Sequence, residues 1–223
     1  MASRSHRPPA DWSVYLVTDS RLCAQLGVPA TVAAAVRGGA TAVQLRDHDC
    51  DDRDFTALGR DLVAALAGTG VPLVVNDRAH LVHPIGADGL HVGQHDLDVT
   101  AARALIGPHR HLGLSIQHPD QVRRVRHLRT VIDYLGVGPV WTQSTKPDAA
   151  PACGPEGLAR IVARSPWPCV AIGGVTAAQI PMARASGALG IAVVSAICGR
   201  PDPEAATREL RTAWDQAARG PRR

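Results

Sequence analysis

The chain has 223 residues, 45% of them hydrophobic and 20% charged, with a formal net charge of +4. That balance is ordinary for a globular domain, and no apolar run nears the roughly 20 residues a membrane-spanning helix needs. Four tryptophans, two tyrosines and one phenylalanine offer few surfaces for stacking bases, so the mild positive charge suits small anions, and neither nucleic acid nor a membrane is an expected partner.

Residues 1–11 read as an N-terminal extension with Arg4, His6 and Arg7 but without the apolar core of a signal peptide, so a cytoplasmic location is expected. From 12 to 218, short aliphatic runs alternate with helical patterns, the signature of repeated βαβ units. A strand at 14–18 precedes a helix at 31–37 that should stop at Gly38 and Gly39. Strands at 42–45, 73–75 and 89–92 are followed by helices at 54–67, 79–83 and 100–106. Strands at 112–115 and 132–136 are followed by helices at 119–128 and 155–164. The last two units pair a strand at 169–172 with a helix at 177–186, ending at Gly187, and a strand at 191–194 with a helix at 203–218. Asp202 is placed to cap that final helix just before Pro203. Residues 219–223 form a C-terminal tail.

Eight strand–helix units without a linker predict one α/β domain, a single (β/α)8 TIM barrel. A doubly wound open sheet is less well supported, because no G-x-G-x-x-G follows the first strand. The connection 138–154 exceeds ordinary loop lengths and is expected to act as a lid or binding loop. Cys23, Cys50, Cys153, Cys169 and Cys198 follow neither a disulfide nor a zinc-ribbon spacing and read as free thiols. His80, His83, His91 and His95 have spacings that a zinc site could use, but ten histidines make such coincidences common. The arginine-rich stretch 123–129 reads as a solvated helix face.

In a parallel barrel the chemistry sits at the carboxyl ends of the strands. The second strand ends in Gln44-Leu45-Arg46-Asp47-His48, where Gln44 and Arg46, two apart, share a face. Asn76 and Asp77 end the third strand, Gly93 to Asp96 follow the fourth, and Ser115 ends the fifth. Asp77 and Asp96 would project from neighbouring strands and could share magnesium, which commonly takes one or two carboxylates plus substrate phosphates. Arg46 and Lys146, the only lysine among 24 lysines and arginines, suit phosphate oxygens. Gly173-Gly174 after the seventh strand and Val194-Ser195 after the eighth occupy the position where barrels bind a phosphate on backbone amides.

These pieces, in this order, resemble the thiamine-phosphate synthase family from about Tyr15 to Ala217. The matching motifs are Gln44-Leu45-Arg46, Val75-Asn76-Asp77, His91-Val92-Gly93-Gln94-His95-Asp96, Gly113-Leu114-Ser115, Gly138-Pro139-Val140-Trp141, Thr145-Lys146, Ile172-Gly173-Gly174-Val175 and Val194-Ser195-Ala196. The resemblance implies a transferase that joins a pyrimidinylmethyl diphosphate to a thiazole phosphate, releasing pyrophosphate, by a dissociative route assisted by Mg2+. It implies that Gln44, Arg46, His48, Asn76, Ser115 and Lys146 hold the pyrimidine diphosphate. It places Gln143, Ser144, Thr145, Gly174, Val194 and Ser195 at the thiazole phosphate, Asp77 and Asp96 at the metal, and catalysis on Arg46, Lys146 and Ser115.

Two positions depart from the family pattern. His48 stands where a lysine is usual, and Gln143 where a threonine is usual. They keep open a thiazole tautomerase-like enzyme and a non-catalytic paralogue that binds thiamine precursors. Whether the chain forms a homo-oligomer is left open.

Overall fold

The computed structural model describes residues 10–142 and 151–218. Eight strands, β1 (Val14–Val17), β2 (Ala42–Leu45), β3 (Leu73–Asn76), β4 (Gly89–Val92), β5 (His111–Ile116), β6 (Tyr134–Val137), β7 (Cys169–Ile172) and β8 (Gly190–Val193), form a closed barrel in sequence order. All pairings are parallel, and the ring closes where Val14, Tyr15 and Leu16 pair with Ile191, Ala192 and Val193. The helices are α1 (Val28–Gly38), α2 (Asp52–Leu66), α3 (Val82–Ile85), α4 (Val99–Ile106), α5 (Pro119–Val125), α6 (Gly154–Val162), α7 (Ile180–Ala185) and α8 (Pro203–Ala218). Among the described residues no helix is long and apolar enough to cross a membrane, and all five cysteines carry free thiols.

The expected order of elements is the observed one, and the differences lie at their ends. Helix α1 starts at Val28 rather than 31, because Pro29 needs no amide partner in the first turn and Gly27 adopts φ 79° ahead of it. Helix α2 starts at Asp52, where the Asp51 carboxylate accepts from the Asp54 amide at 2.9 Å. Strand β6 starts at Tyr134 rather than 132, since the amides of Val131 and Ile132 both turn back onto the Leu128 carbonyl. The helical segments expected at 79–83, 119–128 and 177–186 each combine a short α-helix with a 3-10 turn. Asp202 does cap α8, accepting from the Ala205 amide at 2.9 Å, and Gly39 ends α1 in the left-handed conformation.

Strand alternation sorts the side chains into two cores. Val14, Leu16, Val43, Leu45, Val75 and Leu90 point outward and join the helices in one large apolar layer, each burial contributing about 1.5–3 kcal/mol. Tyr15, Val17, Ala42, Val74, Tyr134, Val170 and Ala192 point inward and form a smaller cluster, closed below by Trp12. Trp12 stacks on Tyr134 with ring centres 4.1 Å apart.

So narrow an interior accepts large rings, and the chain that crosses its floor, only where the facing strands carry no side chain. A Cβ on Gly113 would lie 2.2 Å from Tyr134 Cζ and 2.4 Å from His91 Nδ1, and one on Gly190 would lie 1.8 Å from the Trp12 carbonyl oxygen. Gly113→Ala is therefore expected to destabilise the fold by about 1–3 kcal/mol. In thermal unfolding that is a midpoint lowered by roughly 2–4 °C per kcal/mol; an unchanged midpoint would show that the interior can repack.

Candidate active site

The carboxyl ends of β1 to β5 surround a cavity of about 750 Å3. Its first wall is the segment after β2. The Thr18 hydroxyl clasps Arg46 from the neighbouring strand, accepting from its amide at 3.0 Å and donating to its carbonyl at 3.2 Å. Asp47 accepts from the amides of Asp49 and Cys50 and from the Ser20 hydroxyl. Burial opposes ionisation of Asp47, but those bonds outweigh it and hold the carboxyl below the usual carboxylate range. Arg78 braces the segment from beneath, donating to the carbonyls of Asp47 and Cys50, pairing with Asp52 at 2.9 Å and lying over the Phe55 ring. Across the mouth, Arg21 forms a two-pronged pair with Asp49 at 2.7 and 2.9 Å.

The second wall carries the two carboxylates expected at the metal. Asn76 donates from Nδ2 to Asp77 at 2.6 Å, and the Gly93 amide donates to Asp96 at 2.7 Å. Because Asn76 pairs with His91 in the sheet, Asp77 and the segment after β4 lie side by side, and both aspartates line the cavity. Asp77 has φ 59°, a conformation that aspartate tolerates better than most side chains. Among the described residues no three His, Cys, Asp or Glu side chains converge as a metal cage. Two hard oxygen donors fit a cation that completes its shell from substrate phosphates and water.

Arg46, His48 and Ser115 also line the cavity. Gln44 and Asn76 sit behind it at their strand ends, and Gln44 donates to the Tyr15 hydroxyl inside the barrel. The four histidines with metal-like spacing go to different places. His80 pairs with Asp52, His83 reaches the Leu105 carbonyl, His91 faces the barrel interior and His95 lines the cavity.

The β7 and β8 ends form a separate part of the rim. Gly173 and Gly174 have φ 94° and 65°, and a Cβ on Gly174 would lie 2.4 Å from the Thr142 carbonyl oxygen. The segment after β6 lies against them through Val140 N to Ile172 O at 2.9 Å and Trp141 N to Gly173 O at 3.0 Å. Cys153 and Gly154 return to the carbonyls of Pro139 and Val140, so the long connection starts and ends at the same strand tip. Val194 begins a helical turn in which its carbonyl accepts from Ile197 and Cys198. Among the described residues the amides of Gly174, Ser195 and Ala196 have no acceptor, as an anion-binding rim requires. Gln143, Ser144, Thr145 and Lys146 lie outside the described residues.

The cavity also contains residues that the sequence pattern did not single out. Arg124 and Gln121, from the helix expected to present a solvated arginine face, line it together with Gln117. The arginines of this stretch are solvent-exposed as expected, and Arg124 in addition reaches the cavity mouth, because Gln121 and Arg124, three apart on α5, share the face turned to it. The signal was the i, i+3 spacing of Gln121 and Arg124 on the helix; Gln117 lies before its N-cap His118. Among the described residues Arg46 and Arg124 have no ion-pair partner, whereas Arg21 is matched by Asp49.

The chain is similar to known proteins along nearly its whole length. A family model described as thiamine monophosphate synthase matches residues 14–197. Thiamine-phosphate synthase of Xanthobacter autotrophicus is 46% identical over 205 residues, covering 92% of this chain and 96% of the relative. That of Laribacter hongkongensis is 45% identical over 201 residues, covering 90% and 94%. The solved structure of thiamine phosphate pyrophosphorylase from Pyrococcus furiosus superimposes with a TM-score of 0.83 at 30% identity, covering 93% of this chain and 98% of that one. The shared barrel and the sequence similarity along nearly its whole length thus show that the chain belongs to the thiamine monophosphate synthase family.

Proposed function

We propose that this chain is a transferase that joins a pyrimidinylmethyl diphosphate to a thiazole phosphate, giving thiamine phosphate and pyrophosphate. The observation that carries the proposal is one cavity in which Arg46 and Arg124, without an ion-pair partner among the described residues, share the walls with Asp77, Asp96 and Ser115. Cations without partners suit an anion, and paired carboxylates suit the divalent cation that accompanies a diphosphate. When bound, magnesium would be held by Asp77 and Asp96 and would neutralise charge on the diphosphate oxygens.

The chain's own residues divide the rest of the work. Gln44, Asn76 and Ser115 would orient the pyrimidine, while Arg46, His48 and Arg124 would bind its diphosphate. In a dissociative route the carbon–oxygen bond breaks before the thiazole nitrogen attacks, so negative charge grows on the leaving pyrophosphate, and Arg46 stabilises it there. Gly174, Val194 and Ser195 would hold the thiazole phosphate on backbone amides, leaving its ring nitrogen free to capture the cation. The roles of Gln143, Ser144, Thr145 and Lys146 rest on the family resemblance: the first three at the thiazole phosphate, the lysine at the diphosphate. Closure of the 138–154 connection would exclude water that could trap the cation. A cytoplasmic location belongs to the same proposal.

Pyrophosphate release is expected only when both substrates and Mg2+ are present, and chelation should abolish it until Mg2+ is restored. Binding of both precursors without release would instead identify a non-catalytic paralogue. Lys146→Ala is expected to lower kcat by about 100- to 1000-fold, and near-normal turnover would remove the lysine from its role. Arg124→Ala is expected to raise KM for the pyrimidine diphosphate by about 3- to 10-fold with kcat little changed; an unchanged KM would place that arginine outside the bound complex.

A further inference from the structure

The inward faces of five strands carry a continuous run of polar groups beneath the cavity. Tyr15 on β1 and Tyr134 on β6 are buried, and their hydroxyls lie 2.9 Å apart across the barrel. Gln44 on β2 donates from Nε2 to the Tyr15 hydroxyl at 3.0 Å. The Tyr134 oxygen lies 3.1 Å from His91 Nδ1 on β4, and His91 Nε2 lies 2.9 Å from Ser115 Oγ on β5. The run therefore begins at Gln44 and ends at Ser115, the one member that lines the cavity.

Such a run has a direction, because each hydroxyl has one proton and a neutral imidazole has one N–H. With Gln44 donating to Tyr15, the Tyr15 proton has only the Tyr134 oxygen to meet among the described residues. The Tyr134 proton is then directed at His91 Nδ1, which must be the accepting nitrogen. His91 consequently carries its proton on Nε2 and donates it to Ser115, and the Ser115 proton is turned toward the cavity. Burial pushes both phenols above their ordinary range, so neither becomes a phenolate that would break the order. Reversing one bond strands a buried proton without an acceptor. Only a concerted reversal that includes the Gln44 amide avoids this.

We propose that Tyr15, Tyr134 and His91 are positioning residues that set the polarity of the two ends of this relay. Ser115 is presented to the ligand as a hydrogen-bond donor, and Gln44, its nitrogen engaged by Tyr15, presents its carbonyl oxygen as an acceptor. The matching ligand offers an acceptor at Ser115 and an N–H at Gln44. An aminopyrimidine has both, as an unprotonated ring nitrogen and an exocyclic amine; that assignment rests on the proposed function, whereas the polarity does not.

The tautomer of His91 tests the relay without turnover. In 15N spectra of the histidine-labelled protein, with the His91 signals identified by their loss in His91→Asn, the expected pattern is a neutral ring protonated on Nε2. A ring protonated on Nδ1, or a doubly protonated one, would overturn the proposal. Tyr134→Phe keeps the ring and removes the link. It is expected to give mixed tautomers at His91 and to raise KM for the pyrimidine diphosphate about tenfold, with kcat changed less than about threefold. An unchanged tautomer and KM in the folded variant would also overturn it, and if that variant does not fold the wild-type spectrum decides alone. An Nε2-protonated His91 in a protein with no pyrophosphate release would reject the proposed reaction and leave the relay standing; the converse result would do the opposite.

Discussion

The width of the barrel interior is the constraint on which the remaining structure depends. Eight parallel strands close around a space that side chains must fill completely. Here a few large rings fill it, with Trp12 stacked on Tyr134 and His91 beside them. They fit because Gly113 and Gly136 leave room opposite the Tyr134 and His91 rings, while Gly190 lets the Trp12 backbone approach. Filling the space with rings that carry hydroxyls and ring nitrogens creates a second demand, since each buried polar group must find a partner. Tyr15, Tyr134, His91, Gln44 and Ser115 satisfy one another, so packing at the bottom of the barrel and hydrogen-bond polarity at its top are parts of one arrangement.

At the rim the governing interaction is electrostatic. Several charged groups at or beneath the rim are matched within the protein: Arg21 by Asp49, Arg78 by Asp52 and two carbonyls, and Asp47 by a hydroxyl and two amides. These matches hold the segments after β1 and β2 in place. Among the described residues Arg46 and Arg124 face the cavity without an ion-pair partner, and Asp77 and Asp96, held by Asn76 and the Gly93 amide, line the same space. A surface whose structural charges are neutralised locally can present its remaining charges to a ligand at fixed positions.

The order of elements was legible because it is written in local periodicity. Aliphatic runs of four or five residues, the caps at Asp202 and Gly39, and Pro203 at a helix start all follow from backbone sterics and nearest neighbours. So did the shared face of Gln44 and Arg46, since strand alternation needs no knowledge of the partner strand. Element ends were less legible. Strand β6 begins late because the chain folds back onto Leu128, and α2 begins early because Asp51 caps it; each depends on a turn whose closing bond composition does not announce.

What tertiary structure alone decided was which residues meet. The arginine-rich helix is solvated as its sequence indicated, but only its place after β5 shows that Arg124 stands at the cavity mouth. His91 shared a metal-like spacing with three other histidines, yet it turns inward to Tyr134 while His80 turns to Asp52. Tyr15 and Tyr134 stand 119 positions apart, and nothing local to either marks them as partners. Periodicity settles the face on which a side chain lies. Closure of the barrel settles what lies opposite, because the pairing of β1 with β8 sets the register around the whole ring.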